Sequence, residues 1–213
     1  MSFIHLRVAS AYSFKYGTTQ PRDLVARASE LEMPALALTD RDGLAGAIRF
    51  TKAAVAHGIA PIIGVNLAIR IGDTSGALPR VTVLAHGDGG WRSLVRLMTG
   101  LQMNSPDRTP VLTPELLEKF SSYTSQLHLL HGPESPVSQA LTAHRFDAAL
   151  TIFNQTRDLF ADHAIECVSH LAPGNGPRST AHAARSLIFA RDNDIDAVLT
   201  NAVRMCHRDD GPV

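Results

Sequence analysis

The sequence predicts an α/β fold of about seven strand–helix units, closed into a barrel rather than laid out as an open doubly wound sheet. Three observations lead there. Short apolar runs of strand length alternate with stretches of helical periodicity along the chain. Breaks rich in glycine and proline separate them. All of these units fall within 213 residues, a length that suits one domain with its own core.

Taken in order, Phe3–Val8 reads as a first strand, β-branched and aromatic, followed by Ala-Ser-Ala. Thr18 and Thr19 offer N-caps ahead of Pro21, which suits a first helical turn, and the helix sets Leu24, Val25, Ala28 and Leu31 on one face. Pro34–Thr39 is a buried-strand run closed by Asp40. A helix from Gly43, with Leu44, Ala47, Ile48 and Val55 inward, ends at His57-Gly58, where glycine suits the left-handed position. Pro61–Ile71 alternates as a third strand, and Gly72–Pro79 is a loop. Arg80–Ala85 is a fourth strand, and the helix after it carries Trp91, Leu94, Val95, Met98 and Leu101 at helical spacing. Met103–Pro114 is loop-like, Glu115–Phe120 a short helix and Gln126–Leu130 a fifth strand. Helices at Ser135–Ala143 and Phe146–Ala161 precede a sixth strand, His163–Val168. A turn at Pro173–Pro177, a helix at Ser179–Asn193 with Ala184, Leu187 and Ile188 inward, and a seventh strand at Ala197–Thr200 complete the barrel domain, residues 1–203. Arg204–Val213 is polar and reads as a tail or truncated linker.

Composition narrows the function. Lys plus Arg balances Asp plus Glu at 20 each, so no general basic surface for nucleic acid is expected, and contact with DNA is indirect at most. Arginine dominates the cations, since Lys15, Lys52 and Lys119 are the only lysines. Cys167 and Cys206 have no CxxC spacing, the start of the chain is too polar for a secretory leader, and no apolar run approaches the roughly 20 residues of a membrane span. A reducing cytoplasm, with two free thiols and no membrane, is the expectation. Gly87-Asp-Gly-Gly90 lacks nucleotide-loop spacing, and no nucleophile elbow is present.

Three stretches resemble a known family: Phe-Ile-His-Leu-Arg-Val-Ala-Ser-Ala-Tyr-Ser-Phe at 3–14, Met-Pro-Ala-Leu-Ala-Leu-Thr-Asp-Arg-Asp-Gly-Leu-Ala-Gly-Ala-Ile-Arg-Phe at 33–50, and Gly-Ile-Ala-Pro-Ile-Ile-Gly-Val-Asn-Leu at 58–67. They look like the polymerase and histidinol phosphatase (PHP) domain that opens bacterial DNA polymerase III alpha subunits and their error-prone paralogues. Weaker similarity continues to Leu199-Thr-Asn-Ala-Val-Arg. The resemblance implies a distorted TIM-like (β/α)7 PHP barrel. Active members bind up to three divalent metals at the strand ends and hydrolyse phosphoesters; other barrels of the family are structural.

Carried over residue by residue, the resemblance implies an eroded metal site. The His-x-His positions hold Arg7 and Ala9, the next ligand position holds Tyr16, and the strand ending Thr-Asp-His here ends Thr39-Asp40-Arg41. Asn66 stands where the family has Glu, and the final Asn-Asp-x-His reads Asn201-Ala202-Val203-Arg204. His131 and His170 are the candidate remnants. The bland reading has both histidines capping strand ends or bonding carbonyls, with Cys167 as core and Asp40 capping a helix near Gly43 or paired with an arginine. Arg7, Arg41 and Arg204 would set fixed positive charge where cations would sit, pairing with Asp40 or Asp42 across the strand ends.

The expectation is therefore a PHP-domain fragment or homologue of a DNA polymerase III alpha subunit, of use in replication or error-prone repair synthesis, itself non-catalytic. No cofactor is expected, and its partners are the downstream polymerase domains of the parent subunit or other replication proteins. One alternative is a metal-dependent phosphoesterase or 3′–5′ exonuclease, with Zn or Mn at a rearranged site. Another is a free-standing polymerase- or DNA-binding module.

Overall fold

The computed structural model describes residues 3–71, 77–105, 109–157, 159–160, 162–207 and 210. Most of the expected Gly72–Pro79 loop, part of Met103–Pro114 and half of the expected tail lie outside them. The chain divides into two compact units, Met1–Asn66 with Thr200–Val213, and Leu67–Leu199.

In the first unit, α1 (Pro21–Glu30) and α2 (Ala47–Ala56) cover β1 (Ala35–Leu38) and the start of β2 (Ala60–Ile69). β1 and β2 are parallel, with Ala35 opposite Ala60 and Leu38 opposite Ile63. Leu24, Val25 and Ala28 of α1 and Phe50 and Ala54 of α2 close on Val8, Leu36, Leu38 and Ile59. Each such side chain removed from water contributes on the order of 2 kcal/mol, which is what holds these short elements together.

Several expectations need correction here. Phe3–Val8 forms no strand; only Val8 bridges, to Val203. The backbone partners that a ladder would supply are partly replaced by a side chain, since the Val8 N–H donates to Thr39 Oγ1 at 2.9 Å. The N-cap of α1 is Gln20, not Thr18 or Thr19, and its side chain makes no cap bond. Thr19 Oγ1 instead accepts the Cys206 N–H at 3.1 Å. Leu31, Ile48 and Val55 are exposed, because the helices end or turn before those positions reach the core. α2 begins at Ala47 behind Gly46, so Asp40 does not cap it.

In the second unit the strands are the end of β2, β3 (Arg80–Ala85), β4 (Val111–Leu112), β5 (Leu127–His131), β6 (Asp162–Val168) and the start of β7 (Ala197–Thr200). β4, inside the expected loop, pairs in parallel with β2 at Ala68 and Ile69. β5 runs parallel to β6 but antiparallel to β3, with Thr82 opposite Leu130. A pattern of alternating strands and helices carries no direction, so this antiparallel step leaves no trace in the sequence.

The helices of this unit are α3 (Gly87–Asn104), α4 (Pro114–Lys119), α5 (Pro136–Thr142), α6 (Phe146–Arg157) and α7 (Thr180–Asp192). Trp91 is half-buried on α3, Leu94, Met98 and Leu101 are buried, and Val95 faces solvent. Ser135 and Ser179 cap α5 and α7, accepting the N–H groups of Ser138 and His182. α7 is turned relative to the expected face. It buries His182, Ser186, Phe189 and Ala190 and exposes Leu187 and Ile188. The buried polar side chains are satisfied locally, with Ser138 Oγ 2.7 Å from His182 Nε2. Among the described residues no helix is long and apolar enough to cross a membrane. Both cysteines are free thiols.

Candidate functional site

In the first unit, the backbone after Val8 turns back on itself. The Ser13 N–H donates to the Ser10 carbonyl, and the N–H groups of Tyr16 and Gly17 to that of Ser13. Gly17 lies so close to Ser10 that a Cβ there would sit 2.2 Å from the Ser10 carbonyl oxygen. Only glycine permits that approach, which sets the turn presenting Tyr16.

Asp40, 2% exposed, organises this turn. Its carboxylate accepts from the Ser10 N–H at 2.7 Å, the Ser10 hydroxyl at 3.0 and 2.8 Å and the Ser13 hydroxyl at 2.7 Å. Ser13 Oγ in turn accepts the Arg41 N–H at 2.9 Å. The expected pairing of Asp40 with an arginine is replaced by these serine donors, which satisfy the buried carboxylate on both oxygens. On the next strand, Asn66 bridges to Arg41, its N–H donating to the Asp40 carbonyl while its own carbonyl accepts from Asp42.

The last segment of the chain joins this group. Val203 exchanges backbone hydrogen bonds with Arg7 and Ala9, and the Thr18 N–H donates to the Arg204 carbonyl. The result is a stack. The guanidinium carbons of Arg41 and Arg204 lie 3.4 and 3.9 Å from the Tyr16 ring centroid. Two guanidinium groups that close to one centroid overlap unless they take opposite faces, so the ring is sandwiched. Cations about 7 Å apart repel by about 2 kcal/mol at an effective dielectric of 20, comparable to what two cation–π contacts return. Both arginines make further contacts, as do Arg7, Asp42 and Asn66. Arg7 and Ala9 are buried. Three non-glycine residues with left-handed backbone, Lys15, Asp42 and Ala202, sit next to or near the three stacked residues. Such conformations cost of order 1 kcal/mol each or more and gather at functional sites.

In the second unit, His131 is the last residue of β5 rather than beyond it, and it is fully buried. Its ring stacks on His163 at 5.9 Å with an interplanar angle of 13°, and it also meets Phe153. Thr156 Oγ1 donates to the Phe153 carbonyl at 2.8 Å and lies 3.3 Å from His131 Nε2. Since the hydroxyl has one proton, Nε2–H must be the donor to it. His131 Nδ1 is then a buried acceptor without a hydrogen-bond partner, and His163 Nδ1 is another. Burial first, and the neighbouring His163 second, push the His131 imidazolium down to about 3. His170 lies past β6, exposed, with its N–H donating to the Arg178 carbonyl at 2.8 Å.

The structure thus brings Tyr16, Arg41 and Arg204 together and sets His131 beside His163. The sequence reading missed Ser10 and Ser13, whose only signal was two serines three apart at the end of an apolar run. It also missed Glu166, buried on β6, whose charge adds to burial in raising the Cys167 thiol to about 11. That thiol is inert core, as expected. Among the described residues, no three or more His, Cys, Asp or Glu side chains gather as a metal-holding group.

Residues 5–170 match the PHP domain family. An error-prone DNA polymerase of Corynebacterium efficiens is 40% identical over 124 residues, 57% of this chain and 11% of its own length. An error-prone DNA polymerase of Mycolicibacterium paratuberculosis is 32% identical over 192 residues, 85% of this chain and 17% of its own. A DNA polymerase III subunit alpha of Caulobacter vibrioides is 29% identical over 209 residues, 94% of this chain and 18% of its own. The chain therefore matches less than a fifth of the length of these relatives. Among solved structures, a metal-dependent phosphoesterase from Bifidobacterium adolescentis superposes with a TM-score of 0.57 at 13% identity, covering 95% of this chain and 88% of that one. An amidohydrolase from Chromobacterium violaceum, with bound sulfate and no metal, gives 0.58 at 14%, covering 95% and 87%. At such identity the likeness shows the fold alone, the distorted TIM-like barrel that the sequence predicts. With the family match spanning most of the chain and polymerase relatives aligned along it, this protein belongs to the PHP domain family, in the branch found in error-prone DNA polymerases and DNA polymerase III alpha subunits.

Proposed function

We propose that this chain is a non-catalytic PHP module of the C-family polymerase type, working in the cytoplasm beside the polymerase domains of a parent subunit or other replication proteins in replication or error-prone repair synthesis. The observation that carries the reading is the Arg41–Tyr16–Arg204 stack at positions the resemblance assigns to metal ligands. Arg7, Ala9, Asn66 and Ala202 complete that set, and it does not fit a divalent cation. Guanidinium cannot deprotonate to coordinate, and its fixed charge repels a metal. A methyl group offers no lone pair, and no carboxylate stands there to bridge two metals. In this reading the arginines take over the charge of the missing metals and help keep the strand ends together.

A second reading, a phosphoesterase or 3′–5′ exonuclease with a rearranged Zn or Mn site, draws on the buried Nδ1 atoms of His131 and His163. Two nitrogens fall short of the three or four protein ligands that zinc takes. Elemental mass spectrometry of the purified chain, after dialysis against traces of Zn²⁺ and Mn²⁺, separates the two. Metal well below one equivalent supports the non-catalytic module. One equivalent or more, resistant to dialysis, overturns it and moves attention to phosphoester hydrolysis.

A further inference from the structure

Helix α2 of the first unit and helix α7 of the second each turn a partly apolar face to solvent. Ile48 and Val55, on one helical stripe with Lys52 between them, are 59% and 67% exposed. Leu187 and Ile188 are 55% and 48% exposed, and the exposed Ala184 and Ala181 continue that stripe toward the start of α7. Single exposed apolar side chains are ordinary, but apolar side chains gathered on one face with polar residues around them mark contact surfaces.

The charges beside the two stripes are opposite. Arg49 and Lys52 are the only charged residues of α2, and its first turn has no carboxylate. Arg49 lies 6.0 Å from the Tyr12 ring, and neither cation is paired with a carboxylate among the described residues. Helix α7 ends in Asp192, with Asp194 and Asp196 just beyond, and all three are exposed. Arg191 holds Asp192 at 2.9 Å, which leaves Asp194 and Asp196 without an ion pair among the described residues. Each helix therefore carries at one end the charge that its own dipole disfavours, a cation at the start of α2 and carboxylates past the end of α7.

We propose that this chain associates with further copies of itself, α2 of one copy packing antiparallel against α7 of the next. Ile48 to Val55 and Ala181 to Ile188 are equal stretches of about 10 Å. With the axes antiparallel, Ile48 meets Leu187 and Ile188, while Val55 meets Ala184 and Ala181, a larger side chain against small ones. The same orientation brings Arg49 and Lys52 toward the carboxylates of Asp194 and Asp196, and each helix end gains the charge that its dipole favours. Each face supplies what the other lacks, so the occupant that both specify is a second copy. The contact is head-to-tail, and every added copy presents both faces again, so the assembly grows or closes into a ring. One helix pair is a small area, which makes the association weak and sensitive to salt.

The test is sedimentation velocity of the full chain from about 1 to about 300 μM, a range that brackets a small interface, at low and at high salt. A mass that rises with concentration and falls back toward the monomer in high salt is expected. Ile48→Glu sets a carboxylate against the acidic face, and Ile188→Lys sets a cation against the basic one. Both positions are exposed, so the urea midpoints should stay within about 0.5 kcal/mol of the parent chain. Each variant alone should need roughly tenfold or more protein to associate. An equal mixture of the two should associate nearly as the parent does but stop at two copies, since one variant keeps an intact α7 face and the other an intact α2 face. A parent chain that is monomeric throughout overturns the proposal, as does association that neither variant weakens. Two monomeric variants whose mixture is also monomeric overturn it too, because each face then pairs with its own kind. None of these outcomes bears on whether the chain holds a metal.

Discussion

Asp40 in the first unit and His131 in the second are both almost wholly buried at the C-terminal end of a strand, and they meet the cost of burial in different ways. Asp40 is surrounded by donors that fold in from the preceding turn, so that both its oxygens are occupied. His131 lies among Phe153, His163 and Thr156 and is held neutral, with one ring nitrogen bonded and the other not. A buried polar group can be kept by supplying partners or by discarding its proton, and these two residues show one solution each. The first solution ties the Ser10–Ser13 turn to the segment after β1 through one side chain. The second leaves a local site whose stability depends on pH.

The sharpest way to break this comparison is Asp40→Ala. It leaves the Ser10 N–H and the hydroxyls of Ser10 and Ser13 without their acceptor, and should cost about 3–5 kcal/mol in urea unfolding near neutral pH. A midpoint unchanged within error would mean that water replaces the carboxylate and the turn is not tied by it.

His131 gives the next effect. Its imidazole binds fewer protons folded than unfolded, because the folded value is about 3 against an ordinary 6.5. Its contribution is fully present above about pH 6.5 and is lost as the pH falls toward 3, on the order of a few kcal/mol over that window. His131→Leu should flatten this acid limb and leave neutral stability little changed. An acid limb identical in the two proteins would remove His131 from the account.

Single hydrogen bonds come next. Thr156→Val takes the acceptor from His131 Nε2–H, and Ser13→Ala takes one donor from Asp40, each at about 1–2 kcal/mol by the same unfolding measurement. Equal losses would show that the two solutions are equally rigid; a larger loss at Thr156 would mark the histidine as the less redundant.

The smallest effect belongs to Leu187→Ser on α7. Leu187 is 55% exposed, so thermal or urea unfolding should move by no more than about 0.5 kcal/mol. The face predicted from sequence would give several times that, and a large loss would reinstate it.

The α7 result shows where sequence stops informing. Ala184, Leu187 and Ile188 have the spacing of a buried stripe, yet the core takes His182, Ser186, Phe189 and Ala190. Periodicity finds a helix but weighs leucine above histidine, and it cannot know that Ser138 will receive the imidazole. For the same reason β3, β5, β6 and β7 were legible as elements, while the two-residue β4 and the antiparallel pairing of β3 with β5 were not. At the candidate site, Tyr16, Arg41 and Arg204 were singled out by resemblance to the family pattern, not by chemistry. Their stacking was invisible because it joins positions far apart in the chain. Ser10 and Ser13 were passed over because two hydroxyls carry no signature until the carboxylate that they serve is in place.

Trp91 is the only tryptophan in the chain, and it belongs to the second unit, on α3. Intrinsic tryptophan emission is accordingly a one-sided gauge, reporting the melting of that unit and silent about the turn held by Asp40. Tyr12 and Tyr16 are the corresponding chromophores of the first unit, and Tyr123→Phe would confine the tyrosine signal to it. Following both signals of that variant through one denaturation would show whether the two units let go together or in sequence.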